Sequence, residues 1–184
     1  MMALWIVIAV VVVIALWVMM SFNSLITLRT RVEEAWSDIE IQLKRRYDLI
    51  PNLVSTVQGY AAHEKGVFQA VTEARTKAMG ATGMQDKAAA ENQLSGTLKS
   101  LFAVAEAYPQ LKANENFLDL QKNLTDTEDK IQYSRRFYNT NVRDFNIGIQ
   151  IFPKNMIAGA FGFKKKDMFE ITEAAQRETP QVKF

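Results

Sequence analysis

Residues 3–20, ALWIVIAVVVVIALWVMM, form an unbroken run of 18 apolar side chains, and no charged side chain precedes it. As an α-helix this run is roughly 27 Å long at ~1.5 Å per residue, just enough to cross a hydrocarbon layer of about 30 Å. A helix satisfies its backbone donors and acceptors within itself, so a run of this kind placed in lipid has little alternative to helix. Ala3 and Met20 bound the span, and Trp5 and Trp17 stand near its two ends, where amphipathic rings favour the headgroup level. A cleaved secretory signal needs a basic lead and a small-x-small exit. The exit here, Trp17-Val18-Met19-Met20-Ser21-Phe22, has no such pattern, and the expectation is a retained transmembrane anchor over residues 1–22.

Basic flanks stay on the cytoplasmic side of a membrane. No Lys or Arg stands before the span, whereas Arg29, Arg31, Lys44, Arg45 and Arg46 follow it. This predicts a short tail outside and the bulk of the chain, from about Ser21, in the cytoplasm, although Glu33, Glu34, Asp38 and Glu40 lie among those bases. The absence of cysteine fits a reducing compartment and a disulfide-free exterior equally well. The formal net charge is only +2, with bases and acids interleaved as on solvated helix faces, so no nucleic-acid partner is expected. Four Pro and eight Gly in 184 residues, with few β-branched runs beyond the anchor, point to an all-α domain. About 160 residues remain outside the anchor, enough for one real core.

Apolar periodicity organises that domain. Leu25, Leu28, Val32, Ala35, Trp36, Ile39 and Leu43 recur at three- and four-residue steps, predicting a helix over about residues 24–50. Glu40 and Lys44 are spaced as an i,i+4 ion pair on its polar side. Pro51 is expected to kink or restart the helix. The stripe resumes after Asn52 with Leu53, Val57, Val67, Val71, Ala74 and Ala78, and Gly80 and Gly83 mark the clearest turn. A third helix is expected from about Lys87 to Tyr108, interrupted by Pro109, and a fourth from near Lys112 as far as Phe152. Thr127, Ser134 and Asn141 fall seven apart on the fourth stripe. They read either as partly exposed positions of an ordinary bundle or as a coiled-coil-like assembly seam, where polar residues fix register and partner number.

The expected fold is therefore all-α: an N-terminal transmembrane helix continuing without a flexible leash into an elongated antiparallel bundle of three to four long, Pro-broken helices. The bundle occupies residues 23–152, and an apolar and basic C-terminal segment with a loosely docked tail occupies residues 153–184. Antiparallel pairing is the default for short connections. A first helix rising about 40 Å from the bilayer and a last one descending about 60 Å would return the chain near Phe152 to the membrane surface. The segment that returns, IFPKNMIAGAFGFKKKDMF, gathers Phe152, Ile157, Phe161 and Phe163 beside Lys164, Lys165 and Lys166. Such a mixture suits contact with an anionic lipid surface, each Lys contributing ~1 kcal/mol. It equally suits a cap on the bundle core with a solvated basic turn.

Chemistry-bearing motifs are scarce. His63-Glu64 has the start of a zinc-protease helix motif, but the chain holds no second His to complete it. One His and no Cys exclude a Cys nucleophile or a conventional metal cage, and no phosphate-binding Gly loop or nucleophile elbow occurs. No catalytic, metal-binding or cofactor residue is assigned, and no cofactor is expected. Lys44, Arg45 and Arg46 with Asp48 read as a salt-bridged helix segment. Arg135, Asn139 and Asn146 are expected to serve interhelical hydrogen bonds.

Three blocks, RRYDLIPNLVSTVQGYAAHE, EAYPQLKANENF and RRFYNTNVRDFNIGIQIFPKNMIAGAFGF, occur in this order, and the chain closes on PQVKF. In order and spacing they resemble the LemA family of bacterial membrane-anchored proteins across essentially the whole chain. The resemblance implies an N-terminal transmembrane helix followed by a helical bundle, at the bacterial inner membrane. It implies no enzyme activity and transfers no ligand or catalytic residue. A relative that acts in forming magnetosome membranes makes membrane organisation the theme. The expected function is a single-pass, membrane-anchored scaffold that self-associates or recruits partners. Its partners would be the lipid bilayer, further copies of itself and a protein of unknown identity. The alternative is a membrane-tethered adaptor that holds a cytoplasmic enzyme near the bilayer.

Overall fold

A computed structural model of the chain describes residues 1–169, and every regular element among them is helical. In chain order these are α1 (Met2–Gln58), α2 (Lys65–Gly80), α3 (Met84–Glu106), α4 (Pro109–Lys112), α5 (Glu115–Gly148) and α6 (Lys154–Ala160). The all-α bundle expected from the periodicity is what forms. Residues 170–184, which include the expected tail and the closing PQVKF, lie outside the described residues. The chain divides into two compact units. Of the described residues, one unit takes Met1–Ile41 and Gln132–Met168 and the other Gln42–Ile131 with Phe169, so α1 and α5 each contribute to both.

The first unit pairs the early part of α1 with the later part of α5. Trp36 meets Tyr138 edge-on at 5.5 Å, and Leu28 faces Gly148, so rising numbers on α1 match falling numbers on α5. The two helices are therefore antiparallel. Leu25, Val32, Ala35 and Ile39 are buried from α1, and Tyr138, Val142 and Phe145 from α5. At Gly148 the backbones come close, since a Cβ there would stand 3.0 Å from Leu28 Cδ1. The apolar run at the start of α1 is almost wholly exposed among the described residues, Trp5 and Met20 included, and no part of the span is buried. Among the described residues it makes α1 the one helix long and apolar enough to cross a membrane.

The second unit is a bundle of the later part of α1, α2, α3, α4 and the start of α5. Its core takes Leu43, Ile50, Leu53 and Val57 from α1, Leu94, Leu98 and Leu101 from α3, and Leu124 and Ile131 from α5. α2 lies along α3, joined by a turn in which Gly83 adopts φ +87°, a left-handed conformation that favours glycine. α4 opens on Pro109 at its first turn, where a missing N–H costs nothing. Asn114 caps α5, its Oδ1 accepting the Phe117 N–H at 3.0 Å.

Two expectations about this bundle are corrected. Of the two effects expected of Pro51, a restart does not occur, because α1 runs through it to Gln58. A proline at 51 removes the donor that would reach the Tyr47 carbonyl, and Arg75 Nε of α2 supplies one instead at 2.8 Å. The break falls at Gly59, after which Tyr60 and Ala61 both donate to the Val57 carbonyl and close the last turn. The i,i+4 partner of Lys44 is likewise Asp48, at 2.7 Å, rather than Glu40.

Candidate functional site

The candidate site belongs to the first unit and lies where the apolar run ends. Phe22, two residues past Met20, is followed on α1 by Ile26 and Arg29 on one helix face. α6 is held beside this stretch from two sides. Ile157 and Ala158 are buried, and Lys154 Nζ donates to Ser24 Oγ at 3.0 Å. Beyond α6 the chain turns at Phe161 and Gly162 and carries no regular element through Phe169, and α5 fixes its path. The Asn146 amide grips Lys166 like a neighbouring strand, donating to its carbonyl and accepting its N–H, both at 2.9 Å. Tyr138 donates its hydroxyl to the Asp167 carbonyl at 3.0 Å. Burial, and secondly the negative charge of Asp167, push the Tyr138 hydroxyl above its usual value, so it stays a donor.

This clamp sets Phe161 and Phe163 against the exit of the apolar helix. Their rings stand 4.7 Å and 6.0 Å from Phe22, and Phe163 also meets Phe145 at 6.3 Å. The aromatic floor borders a cleft of about 490 Å³, rimmed by Arg29, Lys164, Lys165 and Lys166. Only Arg29 has an ion-pair partner among the described residues, Glu33 at 2.9 Å through Nε. Phe152 is 79% exposed and Phe161 58%, while Phe163 and Lys166 are half-buried. Ile157 differs from its sequence-predicted companions. At 7% exposure it faces inward and seats α6, leaving Met156 as the exposed apolar residue there. The sequence marks Arg29 only as a basic residue flanking the span and does not mark Phe22 as a site residue, although Phe22 is the first aromatic residue after the span.

The heptad-spaced polar residues are divided between the two units. Thr127 is fully buried in the second unit, its hydroxyl donating to the Asn123 carbonyl at 2.7 Å. Ser134 and Asn141 are half-buried in the first unit, and Asn141 donates to the Phe137 carbonyl at 2.9 Å. His63 is exposed, and no group of three or more His, Cys, Asp or Glu stands together as a metal set among the described residues.

The second unit encloses a polar cluster. The basic run 44–46 is split: Lys44 stays outside with Asp48, Arg45 Nη2 donates to Asn123 Oδ1 at 3.3 Å, and Arg46 is buried. Arg46 donates to Glu91, to Glu128 at 2.6 Å and to Ser95 at 3.1 Å. Glu91 also accepts the Tyr47 hydroxyl, and Lys87 lies over the Tyr47 ring, 5.5 Å from its centre. Burial first, and then the bond to Glu91, hold Tyr47 strongly protonated. The Arg46 guanidinium thus faces two carboxylates, Glu91 and Glu128, and only its Nε finds no hydrogen-bond partner. Sequence reasoning missed this cluster, although Arg46 stands three residues past Leu43 and Glu91 three before Leu94, both on apolar stripes.

A comparison with protein families decides the kinship, because the LemA family model matches residues 35–184. The chain belongs to the LemA family. Magnetosome protein MamQ 2 of Paramagnetospirillum magneticum is 26% identical over 192 residues, covering 89% of this chain and 71% of that protein. Magnetosome protein MamQ of Magnetospirillum gryphiswaldense is 24% identical with the same coverage. Protein LemA of Metamycoplasma hominis is 25% identical over 155 residues, covering 82% of this chain and 69% of its own. None of these names states a reaction. LemA membership and the exposed apolar helix together describe a membrane-associated helical protein.

Proposed function

We propose that this LemA-family chain is a membrane-anchored helical scaffold held to the bilayer at two points. The first is the apolar run of α1, and the second is the segment carrying Phe152, Phe161, Phe163 and Lys164 to Lys166. The observation that carries the reading is the packing of Phe161 on Phe22 at 4.7 Å. It supports placing an exposed aromatic and basic surface at the level where the apolar helix ends. A protomer gripped twice has a fixed tilt, and fixed tilt is what a repeating assembly on a membrane requires. The basic residues after the span support the cytoplasmic side of a bacterial inner membrane for the bulk of the chain. The naming of the MamQ relatives as magnetosome proteins supports membrane organisation as the process served. The reading assigns no reaction.

Light scattering on the detergent-extracted full chain during size exclusion tests the scaffold. The expected result is a defined assembly whose protein mass is a multiple of 20.9 kDa. A monomer that co-purifies with a single enzyme contradicts it and supports the adaptor reading.

A further inference from the structure

The cleft at the end of the apolar run has the two-part chemistry of a phospholipid. Its floor is aromatic, Phe22 and Phe163 at 6.0 Å, and its rim carries Arg29, Lys164, Lys165 and Lys166. The four cations come from two separated stretches of chain and surround one space of about 490 Å³, within the ~300–1,000 Å³ of ordinary small-molecule sites. No carboxylate among the described residues neutralises the three lysines, and the Arg29–Glu33 pair uses Nε, leaving the other guanidinium nitrogens to donate. Depth is also matched. At ~1.5 Å per residue, Phe22 lies about 3 Å beyond Met20, inside the headgroup layer of a bilayer spanned by α1. Arg29 lies about 13 Å beyond Met20, and helical side chains lean toward the N-terminus, here toward the span.

We propose that this cleft binds one anionic phospholipid per protomer, its phosphate and charged headgroup held by Arg29 and Lys164 to Lys166. The glycerol shoulder rests on Phe22 and Phe163. The proposal rests on the two-point reading and adds selectivity to it: a defined lipid rather than a diffuse charged surface. Lys166 is the pivot, because the Asn146 amide fixes its backbone and so the register of the basic run.

The test is native mass spectrometry of the detergent-extracted full chain with dioleoylphosphatidylglycerol, dioleoylphosphatidylcholine or inorganic phosphate. The expected result is one retained phosphatidylglycerol per protomer, no retained phosphatidylcholine, and no displacement by millimolar inorganic phosphate. Substituting Lys164→Gln, Lys165→Gln and Lys166→Gln together weakens retention on the order of a hundredfold, and Arg29→Gln weakens it in part. A charge-matched variant, Lys65→Gln with Lys99→Gln and Lys122→Gln, retains the lipid, and unchanged circular dichroism shows that all variants keep the helical fold. Equal retention in the two triple variants, equal retention of phosphatidylcholine, or displacement by inorganic phosphate overturns the proposal. Each of those results concerns selectivity alone, whereas the two-point reading stands or falls on the depth of Phe161 in the bilayer, measured separately.

Discussion

Arg46 sits at 1% exposure among Glu91, Glu128 and Ser95, a guanidinium completely withdrawn from water. Removing one partner from a buried ion pair leaves the other charged and unsolvated, at a cost of about 3–5 kcal/mol. Arg46→Met is therefore expected to destabilise the chain by that amount in denaturant unfolding, and adding Glu91→Gln recovers part of the loss. A cost below about 1 kcal/mol would mean that the cluster is not closed to water. The sequence shows Arg46 on an apolar stripe, but the run 44–46 also reads as an ordinary basic patch. What decides between them is Glu91, 45 residues on, brought there by the α2–α3 hairpin and invisible to local pattern. The same holds for Lys44, whose two acidic neighbours at i−4 and i+4 are equivalent in spacing. In the folded chain the pair that forms is the one with Asp48.

Helices are the scale at which the sequence is most legible. The stripes around Leu43, Leu94 and Leu124 mark elements that form, and the Gly80–Gly83 turn falls where glycine chemistry puts it. Pro51 misleads because its effect depends on a residue 24 positions away. Arg75 of α2 satisfies the Tyr47 carbonyl that proline leaves without its helical donor, so the helix continues. This coupling is measurable as a double-mutant cycle. Arg75→Met is expected to cost roughly 1.5 kcal/mol in the natural sequence. The cost falls well below that in a Pro51→Ala background, where the restored N–H reaches Tyr47 itself. Equal costs in both backgrounds would separate Arg75 from the passage of α1 through Pro51.

At the scale of the whole molecule, the apolar run and the returning aromatic-basic segment carry the account. Composition makes the span plain, and helix lengths with antiparallel pairing direct the chain near Phe152 back toward the end of the span. The path of residues 161–167 was not legible, because it depends on two side chains of α5, the Asn146 amide and the Tyr138 hydroxyl, holding backbone atoms. Ile157 was indistinguishable in composition from its lipid-suited neighbours, and only the docking of α6 turns it inward. Family kinship with proteins named for magnetosomes supports a membrane role and leaves the assembly itself to experiment. The chain has no cysteine, so a single introduced cysteine carries a unique label. The most direct measurement is electron paramagnetic resonance of the full chain in anionic nanodiscs, with nitroxides on Phe161→Cys and on Glu34→Cys. Glu34 is an exposed α1 position about 21 Å beyond Met20 at ~1.5 Å per residue. The account predicts that the label at 161 collides with lipid-dissolved oxygen at interfacial depth, while the label at 34 is relaxed by an aqueous nickel chelate. Equal exposure of both labels to the chelate would contradict the two-point grip.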